Sequence, residues 1–310
     1  MNTAFASHRS ALNPSPTLTR RDALRRMSAG ALLALGCWPG RLRGGTKAGE
    51  PGAFKFIAVN DTHYLSPDCG RWLEFVVRQM KSEGAEFCLL SGDLTEKGER
   101  DHLATVRDIF QGVGVPTYVQ IGNHDYLTQT DREAYEKLFP RRLNYWFEHR
   151  GWQFVGLDST EGQRYEKTSI QPATFRWVDD NLGQLNPRKP TVLFTHFPLG
   201  EAVKYRPANA DELLERFKPF NLQGIFGGHY HAFTLRWHHG VFAVTDRCCA
   251  LKRSNHDRSP AKGYLVCEAR DGVITYRFKE CRIPKELRAV AGEQKQPAEK
   301  TASPTRQRKK

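Results

Sequence analysis

The sequence predicts an α/β domain, because strand-like apolar runs alternate with segments of helical periodicity through the middle of the 310-residue chain. Residues 54–60, 87–90 and 117–121 are strand-like, and 71–83 and 99–111 carry apolar residues at helical spacing. This β-α-β-α-β order predicts strands joined by helical crossovers in one sheet. The 18 Phe, 10 Tyr and 6 Trp are enough for a packed core and argue against a disordered chain.

The remaining elements of the domain are shorter and continue to position 280. In chain order they are a hairpin of 145–147 and 153–157 around His149-Arg150-Gly151, a helix near 172–182, a strand at 191–194, a helix at 210–217, a strand at 224–226, and short strands over 233–280 with turns at His239-Gly240 and Asp271-Gly272. The sequence shows no internal repeat and no second core. We therefore expect one domain over residues 51–283.

The formal charge of +13 is concentrated at the two ends of the chain. Residues 1–50 carry 8 Lys/Arg against 2 Asp/Glu (+6), and residues 284–310 carry 8 against 3 (+5). Residues 51–283 carry 31 against 29 (+2), so the predicted domain lacks the basic excess of a nucleic-acid-binding domain. Residues 284–310 are polar and basic without apolar periodicity, which predicts a disordered tail.

The N-terminal segment has the pattern of a targeting signal. Arg20-Arg21 precedes a short apolar stretch at 27–37, which resembles a twin-arginine export signal followed by a linker up to residue 50. This pattern predicts passage through an export machinery to the periplasm or cell envelope. A chance basic N-terminus with an Ala/Leu helix is the alternative, and Leu35-Gly36-Cys37 hints at a lipoprotein box. No apolar run reaches the roughly 18 residues that a membrane-spanning helix needs.

Polar clusters follow five of the predicted strands. They are Asp61-Thr62-His63, Gly92-Asp93, Gly122-Asn123-His124-Asp125, Thr195-His196 and Gly228-His229-Tyr230-His231. Each cluster alone indicates no more than a turn. Because the carboxyl ends of strands in an α/β sheet meet at one edge, the five together predict one shared site.

The residue types of these clusters are those that bind metal ions. They offer two carboxylates, one Asn carbonyl and four imidazoles, with no thiolate. Imidazole suits Zn, Fe and Mn, whereas carboxylate and carbonyl oxygens favour Mn and Fe. Seven ligands are too many for one tetrahedral ion, but two ions that share a bridging carboxylate would use all of them. The seven cysteines include no CxxC pair, so a zinc ribbon is not indicated.

The motif order D-x-H, G-D, G-N-H-D, H and G-H-x-H over about residues 54–235 resembles the calcineurin-like metallophosphoesterase superfamily. The resemblance implies a pair of facing mixed β-sheets flanked by helices. It also implies a role for each matching residue: Asp61, His63 and His231 on a first metal, Asn123, His196 and His229 on a second, Asp93 bridging the two, and His124 facing the leaving group.

Within the superfamily, the motifs are most similar to the bacterial branch that includes class III 3′,5′-cyclic nucleotide phosphodiesterases, and His196-Phe197-Pro198 matches its His-x-Pro string. The G-D-x-x-Y pattern of purple acid phosphatases and the G-D-x-V-D-R-G pattern of protein Ser/Thr phosphatases are both missing. The resemblance implies a dinuclear enzyme with Mn²⁺, Fe²⁺/Fe³⁺ or Zn²⁺. Attack of a metal-bridging hydroxide would hydrolyse small phosphodiesters, cyclic nucleotides included, or phosphomonoesters.

The sequence leaves two other functions open and carries further polar residues near the clusters. A non-catalytic metal-binding interaction module on the same fold is the main alternative, and an envelope adaptor acting through its basic tail is another. Glu96 is expected to be an exposed loop residue, although some relatives carry there an acid that orients the histidine matching His124. Asp125 is expected to cap a turn, and Cys248-Cys249 to be buried on a strand. Substrate specificity is expected in the loops at 64–71, 126–145, 160–171 and 201–210.

Overall fold

The computed structural model describes residues 52–291 of the chain. Its strands are β1 (Phe54–Val59), β2 (Phe87–Ser91), β3 (Thr117–Gln120), β4 (Tyr145–His149), β5 (Trp152–Gly156), β6 (Thr191–Phe194), β7 (Leu222–Gly227), β8 (Thr234–His238), β9 (Val241–Thr245), β10 (Gly263–Arg270) and β11 (Val273–Glu280). Its α-helices are α1 (Pro67–Lys81), α2 (Arg100–Gln111), α3 (Glu133–Leu138), α4 (Pro172–Asn181) and α5 (Ala210–Arg216). The strand and helix assignments of the sequence analysis agree with these bounds to within a few residues.

The strands form two mixed sheets. The first has the order β11-β10-β1-β2-β3, with β1, β2 and β3 parallel and β10 and β11 antiparallel. The second has the order β4-β5-β6-β7-β9-β8, with β5, β6, β7 and β9 parallel and an antiparallel strand at each edge. The facing pair of mixed sheets implied by the resemblance is therefore confirmed.

An aromatic core joins the two sheets. Alternate residues of β1 point to opposite faces, so Phe54 and Phe56 enter this core while Ile57 packs on the helix side. The ring of Phe56 stacks on Phe87 from its own sheet at 5.2 Å and meets Phe154 from the other sheet at 5.5 Å. Separate apolar clusters fill the outer faces, under α1 and α2 on the first sheet and under α4 and α5 on the second. The order of layers is helix, sheet, sheet, helix.

The first three strands lie in one sheet, as their crossovers predict, but β6 and β7 belong to the second sheet. The expectation of one shared sheet edge is therefore wrong. The polar clusters come from the carboxyl ends of parallel strands in both sheets. Each sheet needs its own buried face, and the large aromatic residues between the sheets supply it.

The described chain continues past residue 283. Residues Lys285–Leu287 form a 3₁₀ turn, and Leu287, which is 2% exposed, packs into the core on the helix side of the first sheet. The boundary set at 284 for the basic tail therefore falls several residues too early. The predicted export signal and linker of residues 1–50, and the tail beyond 291, lie outside the described residues. Within 52–291, no helix is long and apolar enough to cross a membrane.

Candidate metal centre

The backbone is left-handed at five of the seven predicted ligands. The φ angles are 55° at Asp61, 43° at His63, 49° at Asp93, 65° at His229 and 43° at His231. Such backbone is strained for residues with a side chain, and it persists where the surroundings hold it in place. Hydrogen bonds hold it here, since the N–H of Asp61 donates to the carbonyl of Gly92 and the N–H of His63 to the carbonyl of Asp93.

Two glycines allow the loops to approach each other closely. A Cβ on Gly122 would lie 2.1 Å from the backbone nitrogen of Asp93. A Cβ on Gly92, where φ is 78°, would lie 2.5 Å from Nδ1 of His196. Glycine at these positions brings the loops that follow β2, β3 and β6 into contact.

Four buried side chains form a first group: Asp61, His63, Asp93 and His231. One ligand atom from each lies within 4.8 Å of all the others. Nε2 of His231 is 3.1 Å from Oδ1 of Asp61 and 3.2 Å from Nε2 of His63. Nε2 of His63 is 3.4 Å from Oδ2 of Asp93. The atoms that face one another are all lone-pair donors of the kind that coordinate metals.

A second group contains Asp93, His196 and His229, again with their ligand atoms within 4.8 Å. Nε2 of His196 lies 3.3 Å from Oδ1 of Asp93 and 3.2 Å from Oδ1 of Asn123. The two carboxylate oxygens of Asp93 therefore point to different groups, and this residue lies between them. The structure brings all seven predicted ligands together, and their role as ligands stays a prediction.

The hydrogen bonds of the histidines show that these residues fit a metal pair. Nδ1 of His196 lies 2.9 Å from the carbonyl of Ser91, and Nε2 of His229 lies 2.7 Å from the carbonyl of Tyr165. A carbonyl can only accept, so these nitrogens carry the N–H, and a neutral ring then presents a lone pair on its other nitrogen. Nδ1 of His229 is buried without a hydrogen-bond partner. Ligand histidines have this arrangement.

The charges of two carboxylates and two histidines agree with this fit, whereas at His231 the effect of burial is outweighed by Cys248 and Asp61, which hold its pKa well above 6.5. Burial works to raise the pKa values of Asp61 and Asp93, but the surrounding histidines outweigh it and hold both well below 3.8. Burial lowers the pKa of His63 to about 4 and that of His229 to about 3. Ionised carboxylates and neutral imidazoles are the states that bind metal. Burial opposes protonation of His196, but the nearby Asp93 raises its pKa to about 9. A proton on His196 thus offsets the negative charge of the Asp93 carboxylate, a charge that a bound cation would offset instead.

His124 lies at the rim of the first group. Its backbone N–H donates to Oδ1 of Asp93 at 2.8 Å, and its Nδ1 lies 2.9 Å from the carbonyl of Glu96. Nδ1 is therefore the protonated nitrogen, and Nε2 is turned toward the guanidinium of Arg253 at 3.5 Å. The side chain is 28% exposed, so its ring is accessible to a bound substrate.

Glu96 is mostly buried against other side chains and is not the exposed loop residue that its sequence context predicts. Its side chain is 11% exposed, and its Oε2 lies 3.1 Å from Nδ1 of His63. Arg253 binds the same carboxylate through both Nε, at 3.0 Å, and Nη2. The prediction failed because these partners lie far from Glu96 along the chain, and the one local signal was its position three residues after Asp93.

The structure settles two smaller expectations. Asp125 caps its turn as expected, accepting from the N–H groups of Gly122 at 2.9 Å and Thr95 at 3.0 Å. Cys248 and Cys249 are buried, but in the loop after β9 rather than on a strand. His229 and His231 lie in the loop after β7, where left-handed backbone sends them to different groups.

Two further residues next to the first group were missed by sequence reasoning. The thiol of Cys248 lies close enough to His231 for each group to shift the pKa of the other. The ammonium group of Lys262, a residue 6% exposed, lies 3.0 Å from that sulfur. Burial raises the pKa of Cys248, but His231 and Lys262 outweigh it and bring the value to about 7. No spacing rule connects positions 231, 248 and 262, so this contact carries no sequence signal.

The fold and this arrangement point to the metallophosphoesterase family, and comparison with known proteins shows membership of that family. The family model of the calcineurin-like phosphoesterases matches residues 54–233, and the chain belongs to that family. It is 30% identical over 206 residues to a probable cyclic nucleotide phosphodiesterase of Psychrobacter arcticus. The aligned region covers 59% of this chain and 72% of that protein. A protein of the same description from Rhodopseudomonas palustris is 25% identical over 57% of this chain and 71% of its own.

Solved structures show the same fold at low identity. A dimetal phosphatase from Danio rerio superposes with a TM-score of 0.51 at 14% identity, over 74% of this chain and 96% of that one. A purple acid phosphatase from yellow lupin, Lupinus luteus, superposes with a TM-score of 0.54 at 13% identity, over 75% of this chain and 52% of that one.

Proposed function

We propose that this protein is a dinuclear metal-dependent phosphoesterase that favours phosphodiesters. The observation that carries the proposal is the position of Asp93, whose two carboxylate oxygens face two separate buried groups of histidines and carboxylates. A carboxylate in this position can bridge two cations. Asp61, His63 and His231 would complete the first metal site, and Asn123, His196 and His229 the second.

The chain's own residues perform the remaining steps of the proposed reaction. Bound in these groups, Mn²⁺, Fe²⁺/Fe³⁺ or Zn²⁺ would supply an activated water and offset the charge of the phosphate. With its Nδ1–H directed at the carbonyl of Glu96, the doubly protonated ring of His124 would donate its Nε2 proton to the departing alkoxide. Glu96 would keep the ring of His63 oriented through its contact with Nδ1.

The preference for diesters is supported by the His196-Phe197-Pro198 string and by the relatives described as probable cyclic nucleotide phosphodiesterases. We therefore propose small phosphodiesters, cyclic nucleotides included, as the substrate class. The pattern of Arg20-Arg21 and the apolar stretch after it supports a further proposal, export to the periplasm or cell envelope. Export that persists when Arg20-Arg21 is replaced by Lys-Lys would contradict the twin-arginine route.

The test is hydrolysis of bis(p-nitrophenyl) phosphate by protein reconstituted with Mn²⁺, compared with the Asp93→Ala variant. We expect Asp93→Ala to lose both activity and bound metal, because it removes a ligand from each site. Asp101→Ala is the matched control, since Asp101 is an exposed aspartate on α2.

Two outcomes would contradict the proposal. Equal activity in the wild type and Asp93→Ala would show that the buried groups do not perform the reaction. A protein that binds two metal ions per chain but hydrolyses none of a panel of diesters and monoesters would favour the non-catalytic binding module instead.

A further inference from the structure

A cluster of aromatic side chains lies against the second group of predicted ligands. We call it the aromatic corner and define it as Tyr165, Tyr205, Tyr230 and His256. The ring of Tyr205 lies 5.0 Å from that of His229, 6.4 Å from Tyr165 and 6.0 Å from Tyr230. The ring of Tyr205 meets those of Tyr165, His229 and Tyr230 at angles of 65° to 78°, so these rings form walls around a corner rather than a flat stack.

Separate loops build the corner, and each is tied to the metal centre. Tyr165 precedes α4, and its carbonyl accepts the hydrogen bond from Nε2 of His229. Tyr230 lies between the two predicted ligands of the loop after β7, and Tyr205 lies in the loop before α5. His256 stacks on both Tyr230 and His231 at ring distances of 5.4 and 5.5 Å. These contacts fix the positions of the aromatic rings relative to the predicted metal ligands His229 and His231.

The folding of the domain does not account for these rings. Tyr165 is 53% exposed, and Tyr205, Tyr230 and His256 are half-buried, so none of them belongs to a closed core. Tyr205 has a φ of 67°, a conformation that is an outlier for a bulky residue. Strained residues are concentrated at binding sites, where their position matters more than their conformational energy.

We infer that the aromatic corner binds the base of a nucleotide-type phosphoester whose phosphate lies at the candidate metal centre. The inference rests on the proposed function and names the substrate class more closely. A base presents a flat π-face and polar edges, which suit rings that meet at an angle. The ammonium of Lys204, 4.6 Å from the centre of the Tyr205 ring, adds positive charge beside the corner. An aliphatic alcohol such as glycerol has no surface that would use these rings.

The stacking of one base on aromatic side chains contributes about 1–3 kcal/mol, or at least a fivefold change in affinity. The probes are AMP and ribose 5-phosphate, which carry the same phosphate and sugar and differ in the base. We expect calorimetry on the Mn²⁺-reconstituted protein to show AMP binding at least about fivefold more tightly. Tyr165→Leu and Tyr205→Leu should each reduce that preference to below about twofold while leaving the affinity for ribose 5-phosphate unchanged.

Three controls make the result specific to the rings. Tyr165→Phe and Tyr205→Phe keep the aromatic face and should retain the preference for AMP. Trp237→Leu removes a 61% exposed aromatic ring from the edge strand β8 and should change nothing. If Tyr205→Leu does not fold, as judged by thermal unfolding, the exposed Tyr165 still provides the test. Equal affinity of the wild type for AMP and ribose 5-phosphate would overturn the inference.

The binding measurement requires no turnover, so the two proposals can fail separately. A protein that prefers AMP but hydrolyses no phosphoester would refute the proposed function and leave the aromatic corner as a base-binding site. A protein that hydrolyses diesters but binds AMP and ribose 5-phosphate equally would refute the aromatic corner and leave the proposed function in place.

Discussion

Replacing Glu96 by Gln tests whether the contacts around the first metal group have the importance that their geometry indicates. The carboxylate of Glu96 lies 3.1 Å from Nδ1 of His63 and accepts two hydrogen bonds from the guanidinium of Arg253. Gln keeps the shape of the side chain but removes its charge and one acceptor oxygen. The variant therefore separates the electrostatic role of Glu96 from its packing.

Two losses are expected from this substitution. Partners of ligand histidines contribute about 10- to 100-fold to metal affinity, so metal should bind Glu96→Gln more weakly by about 1.4–2.7 kcal/mol. Arg253 is 18% exposed and would lose its counter-charge, which should lower the free energy of unfolding by about 1–3 kcal/mol. Competition with a fluorescent chelator measures the first, and urea unfolding of the metal-free protein measures the second.

The pH dependence supplies a second measurement on the same variant. Burial works to raise the pKa of Glu96, but His63 and Arg253 outweigh it and lower the value from 4.5 to about 2. The folded state therefore releases this proton more readily than the unfolded chain. The stabilisation is complete above pH 4.5 and is lost as the pH falls toward 2. Glu96→Gln should lack this loss.

Glu99→Gln is the matched control, because Glu99 is 46% exposed and pairs with His102 away from the metal groups. It should keep wild-type metal affinity and stability to within about 0.5 kcal/mol. Metal affinity in Glu96→Gln equal to that of Glu99→Gln would refute the orienting role of Glu96, whatever happened to stability.

Three further predictions use other parts of the site. His124→Asn should lower kcat on diesters at least about 100-fold with bound metal unchanged by elemental analysis, and full kcat would contradict its leaving-group role. Gly122→Ala should reduce bound metal, because the new Cβ would lie 2.1 Å from the backbone nitrogen of Asp93. Gly183→Ala is its control, because a Cβ on Gly183 would have no atom within 4 Å, and equal metal content in the two variants would contradict the argument. Burial raises the pKa of Asp246 from 3.8 to about 7, so between these pH values the folded state holds a proton that the unfolded chain has lost. The free energy of unfolding should therefore fall by about 2–4 kcal/mol as the pH rises from 4 to 8. Urea unfolding of Asp246→Asn should show a smaller fall over the same pH range, and a fall equal to that of the wild type would contradict the prediction.

The elements and the predicted ligands could be found from the sequence because their signals are local. Strand runs followed at once by Asp, His or Asn place each of these residues at the carboxyl end of a strand. Each cluster alone indicates only a turn, so Asp61 and Asp93 were identified as ligands from the five clusters taken together. The division into two sheets has no such local signal, because the sequences of β6 and β7 do not show which sheet these strands join.

The supporting contacts could not be predicted for the same physical reason. Arg253 lies 157 positions from Glu96, and Lys262 reaches Cys248 from a different part of the loop before β10. Their meeting depends on how the loop after β9 crosses the ends of the strands. Neither periodicity nor composition encodes that path, so only coordinates identify these residues.

The position of Asp93 connects the chemistry of the site to the folding of the whole domain. Asp93 follows β2 in the first sheet, and His196 follows β6 in the second, so their 3.3 Å contact exists only when the sheets are packed. That packing depends on the aromatic core, in which Phe56 of one sheet meets Phe154 of the other. On the proposed assignment, metal binds the folded state and not the unfolded chain, which lacks the bridged pair. Bound metal must then stabilise the fold, by about 2.7 kcal/mol at a free concentration 100 times Kd.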